Sequence, residues 1–303
     1  EPYYALASYG GTINVNVKNQ EAQNGKVEMV GNVLAMKSSD EAGKDMVYQN
    51  GRLNIGLTTQ DSSWKGVIDN AGTAKAGEVN LWLQNGATWN NEVVDTIIEN
   101  PWGGEKWAGS RVTNFTGGES EAKAGNIFQK DNNSLTINNY SGYTNIFYAH
   151  EGNGEAAENY KAGDTIIKHA AEGSVVSLIT DNTGISMNSD ANVANVLNAL
   201  AGKLTYRNFA SGEKNLTGYV KIADGLTASS KAQKTGDITF TEEGKGSYVS
   251  QAPVVPSKTE FTTVLTGDAA TDTEYAGNIQ DGKYVFGANT TIKADAESAV
   301  DAK

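Results

Sequence analysis

Few side chains in this sequence have chemistry to offer, and the tryptophans are the most specific of them. There are five: Trp64, Trp82, Trp89, Trp102 and Trp107. An indole stacks on other flat or ring-shaped groups, and an exposed one is costly unless it is covered or used. The two histidines are His150 in "TNIFYAHEG" and His169 in "TIIKHAAEG", both where a strand runs into a turn. A Ser-His-Asp triad needs a nucleophile on a sharp turn. Gly-x-Ser-x-Gly, Gly-Asp-Ser-Gly and Gly-Asp-Ser-Leu are all missing.

The 36 Asp and Glu residues are too many to single any out. A glycosidase needs a pair of carboxylates. If these come from separate strands they leave no local motif, and Asp61, Asp69 and Asp95 read like surface acids. "GDAATDTE", Gly267 to Glu274, spaces its acids as calcium ligands could be spaced, but it lacks the glycine and closing glutamate of an EF-hand. There is no His-x-x-x-His and no cysteine. Catalytic residues, metal ligands and cofactors are therefore expected to be none.

Short alternating stretches must position whatever site exists. "TINVNV", "LNIGL", "VNLWL", "SLTIN", "GYVKIA" and "DITF" each put apolar residues on one face and end in Gly, Asn or Asp. That is the pattern of strands with one buried face. Two all-β architectures fit. One is an antiparallel sandwich with Asn-Gly hairpins. The other is a parallel β-solenoid in which the same dipeptides turn corners. The pattern runs over 303 residues without a linker, and large excursions interrupt it without ending it. This favours one parallel β-helix over 1–303. Between Asn188 and Phe209, Val193, Val196, Leu197, Leu200 and Leu204 recur at helical period. An amphipathic helix is expected over 189–206, capped by Ser189 or Asp190 and laid on the side of the stack. A Gly- and Trp-rich stretch at 93–110 reads as a loop thrown out between strands.

In "VNLWLQNGATWNN", Val79, Leu81 and Leu83 keep the inward beat, so Trp82 points outward. Trp89, beyond the Asn85-Gly86 turn, returns to the inward beat. A ligand-binding patch of Trp82 with Trp102 and Trp107 is the sharp expectation. The plainer one is that the loop folds back and covers Trp82.

"LTTQDSSWKGVIDNAGTAKAGEVNLWLQNGATW" resembles a phrase of pertactin-like passenger domains of Gram-negative autotransporters. In it Ser62-x-Trp64-x-Gly66 is followed by a strand that ends in Asn85-Gly86-Ala87-x-Trp89. "SRVTNFTGG", "SLTINNYSG" and "VLNALAGKLTYRNFASGEKNLTGYVKIADGLTASS" are similar to further passenger phrases, and together they cover roughly residues 50–250. The resemblance implies a right-handed parallel β-helix. It implies display at the cell surface by type V secretion, anchored through a C-terminal outer-membrane barrel. "TTIKADAESAVDAK" does not have a barrel's strands, so the chain reads as an excised middle section with raw ends. In such a stack Trp64 and Trp89 are structural. Trp82 departs from the phrase, where a polar residue is commoner.

The expected function is adhesion or self-association, with host-cell or bacterial surface ligands, glycans among them, as partners. A glycan-active enzyme on the same scaffold and a spacer stalk are the alternatives. Net charge is −12 with a pI near 4.7 and no Lys/Arg run. That disfavours nucleic acid and an anionic membrane surface as partners, and opposes simple face-to-face pairing of copies.

Overall fold

The computed structural model describes residues 4–36, 50–69, 76–94, 109–250, 258, 260–268, 270–280, 283–287 and 290–292. Trp102, Trp107 and Asp95 lie outside the described residues, as does most of the 93–110 excursion. The chain divides into two compact units, Glu1–Val249 and Ser250–Lys303, a division that the repeating pattern does not announce.

The first unit is all-β and built on two main sheets. Among the described residues, one has seven strands: Thr12–Val15, Arg52–Leu57, Glu78–Leu83, Arg111–Thr116, Leu135–Ser141, Thr165–Ala170 and Leu204–Tyr206. Every pairing in it is parallel. The other has nine: Glu28–Val30, Ser63–Lys65, Thr88–Asn91, Gly125–Gln129, Tyr143–Tyr148, Ser174–Asp181, Leu216–Ala223, Ala232–Phe240 and Gly246–Ser247. Only its last two pairings are antiparallel. From Arg52 to Leu216 the chain visits the two sheets alternately, so strands adjacent in a sheet are never consecutive in sequence.

Parallel pairing in register stacks like on like. Leu53 pairs with Val79, Ile55 with Leu81 and Leu57 with Leu83, and all six are fully buried. Each buried aliphatic side chain contributes about 1.5–3 kcal/mol. Further along, Phe115 stacks on Tyr140 at 5.6 Å.

The alternation then changes. In Arg111–Thr116, Val112 and Phe115 are buried while Thr113 and Asn114 both face outward. Asn138–Asn139 and Lys168–His169 repeat this on the next two strands. One extra residue per strand is pushed to the surface, which is a bulge. Because all three strands carry it, the inward register survives and the outer face gains a lane of side chains.

The helix is Asp190–Ala201, with the Ser189 hydroxyl accepting from the Asn192 N–H. Its buried stripe is Val193, Val196, Leu197, Leu200 and Ala201. The helix stops short of 206: Leu204 opens the strand Leu204–Tyr206, paired with Thr165. Leu204 lies four residues after Leu200 and two before Tyr206, so it fits the helical and the strand period at once, and the sheet takes it. The helix packs on Ser174–Asp181, Leu216–Ala223, Ala232–Phe240 and Gly246–Ser247. All but the first of these strands come after Leu204–Tyr206, the last strand of the seven-stranded sheet. The helix thus covers an end of the core, not its side. Among the described residues no helix is long and apolar enough to cross a membrane.

In the second unit Phe261 stacks on Tyr275 at 4.4 Å, with Phe286 edge-on to both. The Glu274 carboxylate accepts from the N–H groups of Thr262 and Thr263 and pairs with Lys258.

Candidate functional site

The outward residues of the seven-stranded sheet form a row of asparagines. Asn54 donates its amide N–H to Asn14 Oδ1 at 2.7 Å, Asn80 to Asn54 at 2.8 Å, Asn114 to Asn80 at 2.7 Å, and Asn139 to Asn114 at 2.9 Å. Every bond runs in the same sense, so the amide dipoles add and polarise one another. Each interior amide spends one donor and one acceptor on its neighbours and keeps one of each for other partners. The ladder runs along the face of the sheet, from strand to strand. The signal was present: Asn sits between two inward residues in "LNI" and "VNL".

Beside the ladder lies Trp82, half-buried, in register with Gly56 on one side and Thr116 on the other. A small hairpin, Val17–Lys18 paired with Glu21–Ala22, rises next to it. Its tip residues Asn19 and Gln20 take φ of 52° and 64°, a left-handed conformation that Asn tolerates better than Gln. Asn16 fastens the hairpin down, donating its amide to Gln23 O and to Gly56 O at 2.7 and 3.0 Å. The hairpin comes so close that a Cβ on Gly56 would sit 2.8 Å from Asn16 O. Only glycine fits there.

Hairpin, ladder and indole enclose a groove of about 200 Å³. Gln20 forms one wall, Asn54, Asn80 and Asn114 the floor, and Trp82 with Thr116 the other side. Arg52 and Glu78 close it with an ion pair of 2.8 Å, and Glu78 also accepts from Asn80 at 2.8 Å. Among the described residues the Trp82 indole N–H donates to nothing. The groove therefore offers an aromatic face, an unused N–H and planar amide, guanidinium and carboxylate groups. That is a set suited to a ring carrying hydroxyls. Arg52, Glu78, the asparagines and Gln20 were not singled out from sequence. Trp102 and Trp107, expected beside Trp82, lie outside the described residues. The base of their excursion is fastened, since Ser110 Oγ donates to Asn91 Oδ1 at 2.7 Å.

The motif tryptophans are elsewhere. Trp64 and Trp89 are fully buried, paired in register in the nine-stranded sheet and stacked at 4.8 Å with planes parallel. Their indole N–H groups donate to Gly31 O and Gly66 O at 3.0 and 2.9 Å. Ser62 is buried and accepts the Val27 N–H at 3.0 Å. Asn85 and Gly86, with φ of 53° and 80°, turn the chain from one sheet to the other, and Asn85 donates to Thr58 O at 2.9 Å.

Other candidates are occupied locally. His150 is buried between Thr180 Oγ1 at 2.8 Å and Thr183 O at 2.9 Å. His169 is exposed beside Glu213 at 3.4 Å. Asp61 accepts from Thr59 at 2.8 Å and Asp69 from Tyr4 at 2.5 Å. Burial pushes the Asp69 carboxyl above its ordinary value. In the Gly267–Glu274 stretch, Asp272 takes the N–H groups of Thr266 and Gly267. Among the described residues no three His, Cys, Asp or Glu gather as metal ligands would.

Compared with protein families, curated proteins and solved structures, the chain matches no family model, no curated protein and no solved structure.

Proposed function

We propose that this chain is a right-handed parallel β-helix of the autotransporter passenger type, displayed at a bacterial surface, and that it acts as an adhesin. Parallel sheets visited alternately by the chain support the architecture, and crossovers between parallel strands are right-handed as a rule. The function rests chiefly on one observation: Trp82 lies half-exposed, with its N–H unused, in a polar groove on an otherwise well-packed face. The ligand is a glycan whose ring stacks on the indole while Arg52, Glu78 and the amides take its hydroxyls. The scaffold's part is display, holding this face away from the cell that bears it.

A glycan-active enzyme would need paired carboxylates at the groove. Among the described residues the lining contributes one, Glu78, already held by Arg52. The test is binding of the full chain to a glycan array and to host cells, for wild type and Trp82→Ala. The variant is expected to fold normally and lose about tenfold or more in affinity, the loss typical of a central aromatic anchor. Equal binding by both proteins would sink the reading, and turnover of a bound glycan would replace it with the enzyme.

A further inference from the structure

The groove is one end of a longer surface. Crossing the seven-stranded sheet from Trp82, the next three strands are those that carry the extra outward lane. That lane holds Thr113, Asn138 and Lys168. Thr113 Oγ1 is used inside the sheet, accepting the Val79 N–H at 3.0 Å. Asn138 Oδ1 is inaccessible to solvent and has no hydrogen-bond partner among the described residues. An orphaned acceptor costs about 1–3 kcal/mol. Ile167 is paired with Tyr206, the last residue of its strand, and Arg207 follows it at the start of the short 3-10 helix Arg207–Ser211, near enough for its charge to act on Lys168.

Among the described residues neither Lys168 nor Arg207 has an ion-pair partner. Burial lowers the Lys168 pKa, and the positive charges of Arg111 and Arg207 lower it further. The carboxylate of Glu213, beside the neighbouring His169, is engaged elsewhere. It accepts the Ala170 N–H at 2.7 Å and the Tyr206 hydroxyl at 2.5 Å, and it faces His169. In a chain of net charge −12, two neighbouring cations, Lys168 and Arg207, with no ion-pair partner among the described residues mark a place for an anion.

We propose that this outer face binds an acidic oligosaccharide, with one ring stacked on Trp82 and a carboxylate or sulfate held by Lys168 and Arg207, three and four strands away. The proposal rests on the glycan-binding reading and adds the ligand's charge, length and direction. Three to four strand spacings of about 4.8 Å make roughly 14–19 Å, the reach of a few linked sugars. The asparagine ladder runs in the same direction, so side-chain amides recur along the ligand at the strand spacing.

The experiment titrates the full chain with three tetrasaccharides: one from heparin, tetragalacturonate and cellotetraose. They carry sulfate with carboxylate, carboxylate alone, and neither. The proteins are wild type, Trp82→Ala, the exposed single variant Arg207→Glu, and Lys168→Gln with Arg207→Gln. Wild type is expected to bind at least one acidic ligand tenfold or more tighter than cellotetraose, and more weakly as salt rises. Both cation variants should bring acidic binding down to the neutral level and leave neutral binding alone. Trp82→Ala should weaken every ligand. Which acidic ligand binds tells sulfate from carboxylate. Acidic binding unchanged by either cation variant, or no preference for acid, overturns the inference. Cellotetraose bound as tightly as the acids and lost in Trp82→Ala overturns it while keeping the glycan-binding reading.

Discussion

Trp89 and Trp82 stand seven residues apart and do opposite things. Trp89 is fully buried on Trp64, with its N–H donating to Gly66 O. Trp82 lies across an outer face beside a groove, with no hydrogen bond for its N–H among the described residues. A tryptophan in a core completes its own environment: stacked above and below, donor satisfied, no water near. One on a surface leaves those demands to be met by something else. Packing alone accounts for the first residue, and it leaves the second unexplained. The same contrast holds for the faces around them. The interior rows are closed by apolar register, whereas the outer row ends in amides with donors and acceptors to spare.

The widest separation between the two should appear in stability. Trp89→Ala removes a large buried side chain, leaves Trp64 unstacked and strips Gly66 O of its donor. A loss of about 3–5 kcal/mol is expected from a cavity of this kind, read as a fall in the urea midpoint with m unchanged. Trp82→Ala should change stability by only about 0.5 kcal/mol, as at other surface positions. If both variants fell by the same amount, the division of roles would collapse.

Gly56→Ala probes what holds the groove. Its Cβ would press on Asn16 O and lift the hairpin that bears Gln20. The expected cost is about 1–3 kcal/mol, the usual range for overpacking, together with loss of ligand binding. Trp82→Ala loses binding at almost no cost in stability, so the pair tells a damaged wall from a missing platform. Wild-type binding in a destabilised Gly56→Ala protein would remove the hairpin from the site.

Within the ladder, position should set the size of the effect. Asn80→Ala breaks two amide–amide bonds and the one to Glu78, whereas Asn14→Ala breaks one. At about 0.5–1.5 kcal/mol for each bond, the inner substitution should cost two to three times the outer one, by chemical denaturation. Equal costs would mean the amides act singly and not as a row.

Much of this was legible in the sequence, and the limits are physical. Leu53, Ile55, Leu57 and their counterparts declare strands by alternation, because a strand has a period of two whatever it pairs with. The inward beat of Trp89 and the outward beat of Trp82 follow from the same rule. Period does not say what lies next in space. The groove needs Gln20, Arg52, Glu78 and Asn114 together, and these come from four separate stretches joined only by register. The bulge was hidden too: "VTNF" and "INNY" read as broken alternation until three of them are stacked. Leu204 misled because one residue satisfied two periods. The capping role of the helix could not be read, since its apolar stripe reports that it is covered and not by which strands.

The smallest effect expected lies on the other sheet, where ion pairs close part of the outer face. Glu92 bridges Lys65 at 2.6 Å and Lys130 at 2.8 Å. Burial draws its pKa up, but the hydrogen bonds and charges of Lys130 and Lys65 outweigh it and hold the carboxyl below its ordinary 4.5. A carboxyl with a depressed folded pKa binds fewer protons folded than unfolded just below that value. Its stabilisation is therefore complete above about pH 4.5 and fades as pH falls through the folded pKa. Both lysines are half exposed, so solvent screening keeps the contribution to about 0–1 kcal/mol. Glu92→Gln should flatten the acid limb of the stability curve by that amount and leave glycan binding untouched. A variant that weakened binding would mean the two outer faces are coupled through the core, and the separation between a closed face and an open one would no longer hold.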